Sequence, residues 1–290
     1  MKTTKSEGLQ MQFPGEGGLV GRRGFMQGAA KTAASAAAAG AILPLLSPGQ
    51  ARADVILDDD PRISISTIII PGPAANLTGM LVMPSRLPKA KVGAVVVIGN
   101  NRGLTQVVKD IAKRYATEGF IALGVDYLSP LGGTPNDIIL GPALSSKLKP
   151  GEAVGYYRQA VAYLRGRPDV AKVGAVGHAW GGDVLNELAE AEPNLAAGVA
   201  LYGRNPDLAS IAAVKAPLQE HYAGLDDATL QGIPAFADAL KKAGKTYELY
   251  IYPGDRYGFA DDTNPYRYDQ YNGDLAWDRS MAFLRKNLEG

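Results

Sequence analysis

Chemistry in this chain is to be sought first between Val173 and Asp183, read as Val-Gly-Ala-Val-Gly-His-Ala-Trp-Gly-Gly-Asp. An apolar run stops at Gly177, and Gly181 and Gly182 follow at once. The pattern predicts a strand that enters a sharp turn and then a helix. In the spacing Gly-x-X-x-Gly, the central side chain is lifted to the top of the sheet, where an attacking hydroxyl or thiol is exposed. Here the central residue is Ala179, between His178 and Trp180. A methyl group has no lone pair, so the frame for covalent catalysis lacks its attacking atom.

The whole chain narrows what else the protein can do. With 290 residues, 46% of them apolar, it can bury a full core as one domain, or one domain plus a tail. The net charge is +1, and the charges are spread rather than blocked. That pattern gives no electrostatic footprint for nucleic acid or an anionic surface. The absence of cysteine rules out disulfides, thiolate metal ligands and a cysteine nucleophile. His178 and His221 are the two histidines, which argues against a multi-histidine metal site. No metal and no cofactor are expected. The expected partner is a small-molecule substrate or ligand, with the chain a monomer or dimer.

The first 53 residues read as an address. Gly21-Arg22-Arg23-Gly24-Phe25-Met26 is a twin-arginine pattern, followed by an alanine-rich, weakly apolar stretch from Gly28 to Leu46. Ala51-Arg52-Ala53 supplies a small-x-small cleavage site. The stretch lacks the dense Leu/Ile content of a spanning helix. The expectation is a removable signal over residues 1–53, export in a folded state to the periplasm or beyond, and a mature domain over 54–290 with no membrane attachment.

Strands are predicted over Arg62–Ile70, Leu77–Met83, Val92–Ile98, Phe120–Val125, Val173–Val176, Gly198–Tyr202, Pro217–Ala223 and Tyr247–Tyr252. The first two should enter the sheet antiparallel. Val92–Ile98 is a β-branched run suited to a strand buried on both faces. Helices are predicted around Val107–Tyr115 and over Ala153–Leu164, Asp183–Ala191, Ile233–Ala243 and Asp274–Leu288. Alternation of this kind predicts an α/β fold with a mostly parallel sheet covered on both faces. Ligands then bind beyond the carboxyl ends of the strands. The loops that matter follow Ile98, Val125, Val176, Ala223 and Tyr252.

Several stretches together resemble the dienelactone hydrolase (carboxymethylenebutenolidase) family of α/β-hydrolases. They are Asn101-Arg102-Gly103-Leu104, the segment Asp126–Pro135, Trp180-Gly181-Gly182, His221–Asp226, Tyr252-Pro253-Gly254 and Asp261-Asp262-Thr263. The likeness runs from about Pro61 to the C-terminus. It implies a single α/β-hydrolase domain acting on small lactones or esters through a Cys-His-Asp triad, with a loop glutamate controlling the cysteine. Carried over by position, the nucleophile is replaced by Ala179 and the base by Tyr257, while the acid is kept as Asp226. The loop glutamate falls on Asn100, and the histidine often found before it falls on Gly99. Either the pocket has another task, or catalysis was removed and binding kept. A trapping substitution would account for one of the four changes.

Some chemistry remains open. Backbone N–H groups at Trp180 and near Asn100 or Asn101 could form an oxyanion hole at a helix start. Tyr257, with an ordinary pKa near ~10, is a poor base but a usable acid. Oriented by Asp226, it could serve isomerisation, elimination or water addition. Asp226 could equally cap a loop, and Tyr257 could only pack. Arg102, Tyr127 and His178 are further candidate ligand contacts, with loop-tying or packing as the plain alternatives. His221 reads as structural. Tyr266, Tyr268 and Tyr271 could form a lid or merely cover the last helix. Three classes compete: an enzyme without a covalent cysteine, a pseudoenzyme binding a carboxylate or lactone, and a partner-binding exported protein.

Overall fold

Among the described residues, eight strands build one sheet: β1 (Ile63–Ile70), β2 (Leu77–Pro84), β3 (Val92–Ile98), β4 (Ile121–Asp126), β5 (Val170–His178), β6 (Ala197–Leu201), β7 (Leu218–Ala223) and β8 (Tyr247–Tyr252). Their spatial order is β1-β2-β4-β3-β5-β6-β7-β8. The pairs β1–β2 and β2–β4 are antiparallel, and every later pair is parallel. The computed structural model describes residues 56–87 and 90–289. The twin-arginine segment, the alanine-rich stretch and the Ala51-Arg52-Ala53 site lie outside the described residues.

All seven residues of β3 are buried. Ala94, Val96 and Ile98 face one core, and Val95 and Val97 face the other, as the two-residue period requires. The first core packs under α2 (Glu152–Arg165), α3 (Trp180–Ala191) and α4 (Ile233–Lys242). The second packs under α1 (Gln106–Thr117) and α5 (Gln270–Leu288). This is the doubly covered sheet that the sequence pattern predicts.

Three elements start three or four residues earlier than expected, and the remaining boundaries shift by two residues or fewer. β5 begins at Val170 rather than Val173, α3 at Trp180 rather than Asp183, and α5 at Gln270 rather than Asp274. The α3 shift has a clear cause. Gly181 and Gly182 read as turn residues because glycine is a poor helix former. In the first turn, however, N–H groups need no helical acceptor, and close packing favours glycine. For α5, Asp269 caps the helix by accepting from the Asn272 N–H at 2.8 Å.

Candidate functional site

β5 delivers the elbow. Ala179 holds φ 59° and ψ −124°, a conformation that costs an L-residue on the order of 1–3 kcal/mol. Its N–H donates to the Leu201 carbonyl at 3.0 Å, and its carbonyl accepts from the Gly182 N–H at 2.8 Å. A Cβ at Gly177 would collide with the Gly181 carbonyl, and one at Gly181 with the carbonyls of Ile98 and Gly99. The glycines therefore let α3 close onto the end of β3. Trp180 opens α3, so its N–H is a first-turn donor without a helical acceptor.

Above the elbow lies a cavity of about 390 Å³. Asn100, Asn101, Arg102, His178, Ala179, Trp180 and Tyr257 all border it. Asn100 accepts the Arg102 N–H on its side-chain oxygen at 3.1 Å, which folds the loop after β3 into an Asx turn. Two other candidates stand back from the cavity wall. Tyr127 is buried, donates its hydroxyl to Ser145 Oγ at 3.1 Å, and sets its ring 5.0 Å from that of Trp180. It backs the indole. Asp226 accepts from the Thr229 hydroxyl at 2.8 Å and the Thr229 N–H at 3.4 Å, capping the short helix Asp227–Leu230.

Tyr257 is 40% exposed and meets Tyr202 edge-on, with ring centroids 5.4 Å apart. Burial pushes its phenol above the ordinary value, and the nearby Asp183 and Asp226 carboxylates push the same way. At neutral pH it is a proton donor and not a base. His178 places Nδ1 3.3 Å from the Tyr202 hydroxyl. Burial lowers its pKa to about 4, with Asp261 opposing and Arg114 assisting, so the imidazole is neutral at pH 7. His221 is fully buried between the Tyr252 hydroxyl, at 2.8 Å from Nδ1, and the Gln219 side-chain oxygen, at 2.9 Å from Nε2. It serves the core between β7, β8 and α5.

Further residues line the cavity that sequence reasoning did not single out. Arg114 from α1 is ion-paired with Asp262, and Asp261, Tyr202 and Arg267 lie beside them. Asp261 and Asp262 belonged to a recognised stretch, but nothing in the spacing tied them to a helix 148 residues away. Tyr202 carries φ 44°, the second positive-φ non-glycine residue among those described. Of the three tyrosines considered as a lid, Tyr266 and Tyr271 are 90% and 74% exposed, while Tyr268 lines a neighbouring chamber.

A mostly parallel sheet, a strained elbow between β5 and α3, and a cavity at the carboxyl ends of the strands define the α/β-hydrolase fold. Residues 77–288 match the dienelactone hydrolase family, and the chain belongs to it. A protein of Saccharolobus solfataricus named "Putative carboxymethylenebutenolidase" is 30% identical over 236 residues, covering 67% of this chain and 89% of that one. The Escherichia coli "Putative hydrolase fragment YghX" is 38% identical over 112 residues, covering 38% of this chain and 95% of its own. Among solved structures, the "Putative Dienelactone Hydrolase" of Klebsiella pneumoniae superposes with a TM-score of 0.69 at 22% identity, covering 77% of this chain and 98% of that one. That last likeness concerns the fold alone.

Proposed function

We propose that this protein takes up a small lactone, ester or related carbonyl compound over Ala179 without forming an acyl intermediate. One observation carries the proposal: the strained elbow position that borders the cavity is occupied by a methyl group. The first-turn N–H of Trp180 remains available to a carbonyl oxygen, and such donors contribute roughly 3–4 kcal/mol to charge stabilisation. The test is calorimetric titration with γ-butyrolactone, combined with intact-mass analysis after exposure to p-nitrophenyl acetate. Binding without an adduct is expected. An acyl adduct, or no binding of any lactone or ester, overturns the proposal.

One chemical step stays open to the bound compound. Tyr257 borders the same cavity as Trp180 and is held protonated, which supports proton donation to a polarised carbonyl and hence isomerisation, elimination or hydration. If turnover of an enol or lactone substrate is found, Tyr257→Phe should abolish it, and full retention removes this role. We also propose export through the twin-arginine route, supported by Arg22-Arg23 and Ala51-Arg52-Ala53. Replacing both arginines with lysine should retain the protein in the cytoplasm. N-terminal sequencing of exported protein should begin near Asp54.

A further inference from the structure

A second chamber, of about 260 Å³, lies between α1 and α5 beside the first cavity. Its lining is mixed: Ile56, Tyr115 and Leu201, all buried, stand beside Arg62, Glu118 and Asp274. Arg114, His178, Ala260, Asp262 and Trp277 border both spaces. Ala260 contributes only a methyl to that boundary, beside these four larger side chains.

The boundary also carries two polar atoms without protein partners. Among the described residues, His178 Nε2 and Arg114 Nε are both buried and unbonded. The Arg114 Nε–H is a donor at any working pH. His178 is neutral and its Nδ1 stands 3.3 Å from the Tyr202 hydroxyl, so the tautomer sets whether its Nε2 donates or accepts. Buried polar atoms without partners are costly, so two on one shared boundary suit a polar ligand atom there. The charges leave no preference for an ion: Arg102, Arg114 and Arg267 around the first cavity are matched by Asp110, Asp261 and Asp262.

We propose that the two chambers form one cleft for an uncharged, elongated ester or lactone, with its carbonyl over Ala179, its alkoxy oxygen between His178 and Arg114, and its alcohol-side tail between α1 and α5. This rests on the binding role proposed above and adds the length and orientation of the ligand. In an ester the alkoxy oxygen lies between the carbonyl and the alcohol-side chain, which is the order in which the cleft offers a first-turn donor, the Arg114 Nε–H beside His178, and the second chamber.

The test titrates the full chain with γ-valerolactone, γ-octalactone and γ-undecalactone, and with α-heptyl-γ-butyrolactone, whose tail sits on the acyl side. Affinity should rise roughly threefold to fourfold per methylene in the γ-series while the tail fills the chamber. The α-heptyl isomer should show little of that gain. Ala260→Trp, which adds bulk at the shared boundary, should flatten the γ-series. The wild-type series decides the matter even if that variant does not fold. If γ-valerolactone binds but affinity does not grow with length, or grows equally for the α-isomer, the elongated-ligand proposal is wrong and the binding role stands. If no lactone binds, both fall.

Discussion

Ala179 and Tyr202 sit at the ends of adjacent parallel strands, each in a positive-φ conformation, and the Ala179 N–H donates to the residue just before Tyr202 at 3.0 Å. The strain at Ala179 holds an attacking atom in place in a working elbow, and here it holds a methyl. Ala179→Gly removes the Cβ penalty at the cost of a more flexible unfolded chain. We expect a net gain of about 1 kcal/mol, read as a higher denaturant midpoint with an unchanged slope. A loss of stability would mean that the conformation is not strained.

Glu220 on β7 is buried beside Asn186 and Tyr222, with Asp183 near. Burial pushes its carboxyl up from 4.5 to about 8; the neighbouring Tyr222 hydroxyl and Asn186 amide pull it down, and Asp183 pushes it further up. The folded carboxyl thus holds its proton more tightly than the unfolded one. Its stabilising contribution is complete below about 4.5 and is lost as pH rises through about 8. Glu220→Gln should therefore raise stability by roughly 1–3 kcal/mol at pH 8 and change little at pH 4. Denaturant unfolding at the two pH values checks it, and equal effects at both would contradict the assignment.

The elbow should accept its chemistry back. Ala179→Cys alone should give almost no ester hydrolysis, because Tyr257 is protonated and cannot take the thiol proton. Adding Tyr257→His supplies the base, and p-nitrophenyl acetate turnover should rise by about 100-fold or more over the single variant. Thr229→Ala should raise it again by freeing the Asp226 carboxylate, now bonded to the Thr229 hydroxyl at 2.8 Å, to orient the new imidazole. A double variant no faster than the single would show that the cavity no longer aligns these positions.

Lys113 is nearly inaccessible, yet its ammonium reaches the Ile56 carbonyl at 2.7 Å and the carboxylates of Asp58 and Asp110 at 2.9 Å each. Burial alone would lower its pKa; the two carboxylates outweigh that and raise it. Lys113→Ala should cost about 2 kcal/mol, read by thermal or denaturant unfolding. It should also make the segment before β1 exchange amide hydrogens faster, because that segment loses its tie to α1. Unchanged exchange there would show that the segment is held by other contacts.

The sheet was legible because its strands announce themselves. Val92–Ile98 is β-branched at five of its seven positions, and the elbow is marked by glycines whose place no Cβ can share. The cavity floor was legible for the same reason, since Ala179, Trp180 and the loop after β3 lie in motifs. Its walls were not. Arg114 sits on a helix face with no local peculiarity, and its partner Asp262 comes from a loop far along the chain. Ala260, which borders both chambers, is a small residue and leaves no mark in a sequence. Tyr127 and Asp226 had the right residue type at the right end of the sheet, but their bonds go to Ser145 and Thr229, and only three-dimensional neighbours fix that choice.

The contact of Gly181 with the backbone of Ile98 and Gly99 binds helix to strand whether or not the protein catalyses anything. Selection on packing alone is enough to keep that glycine after an active centre falls silent. A search keyed to glycine spacing will therefore gather working and silent members of such a lineage alike, and the residue between the glycines, read with the base position, tells them apart.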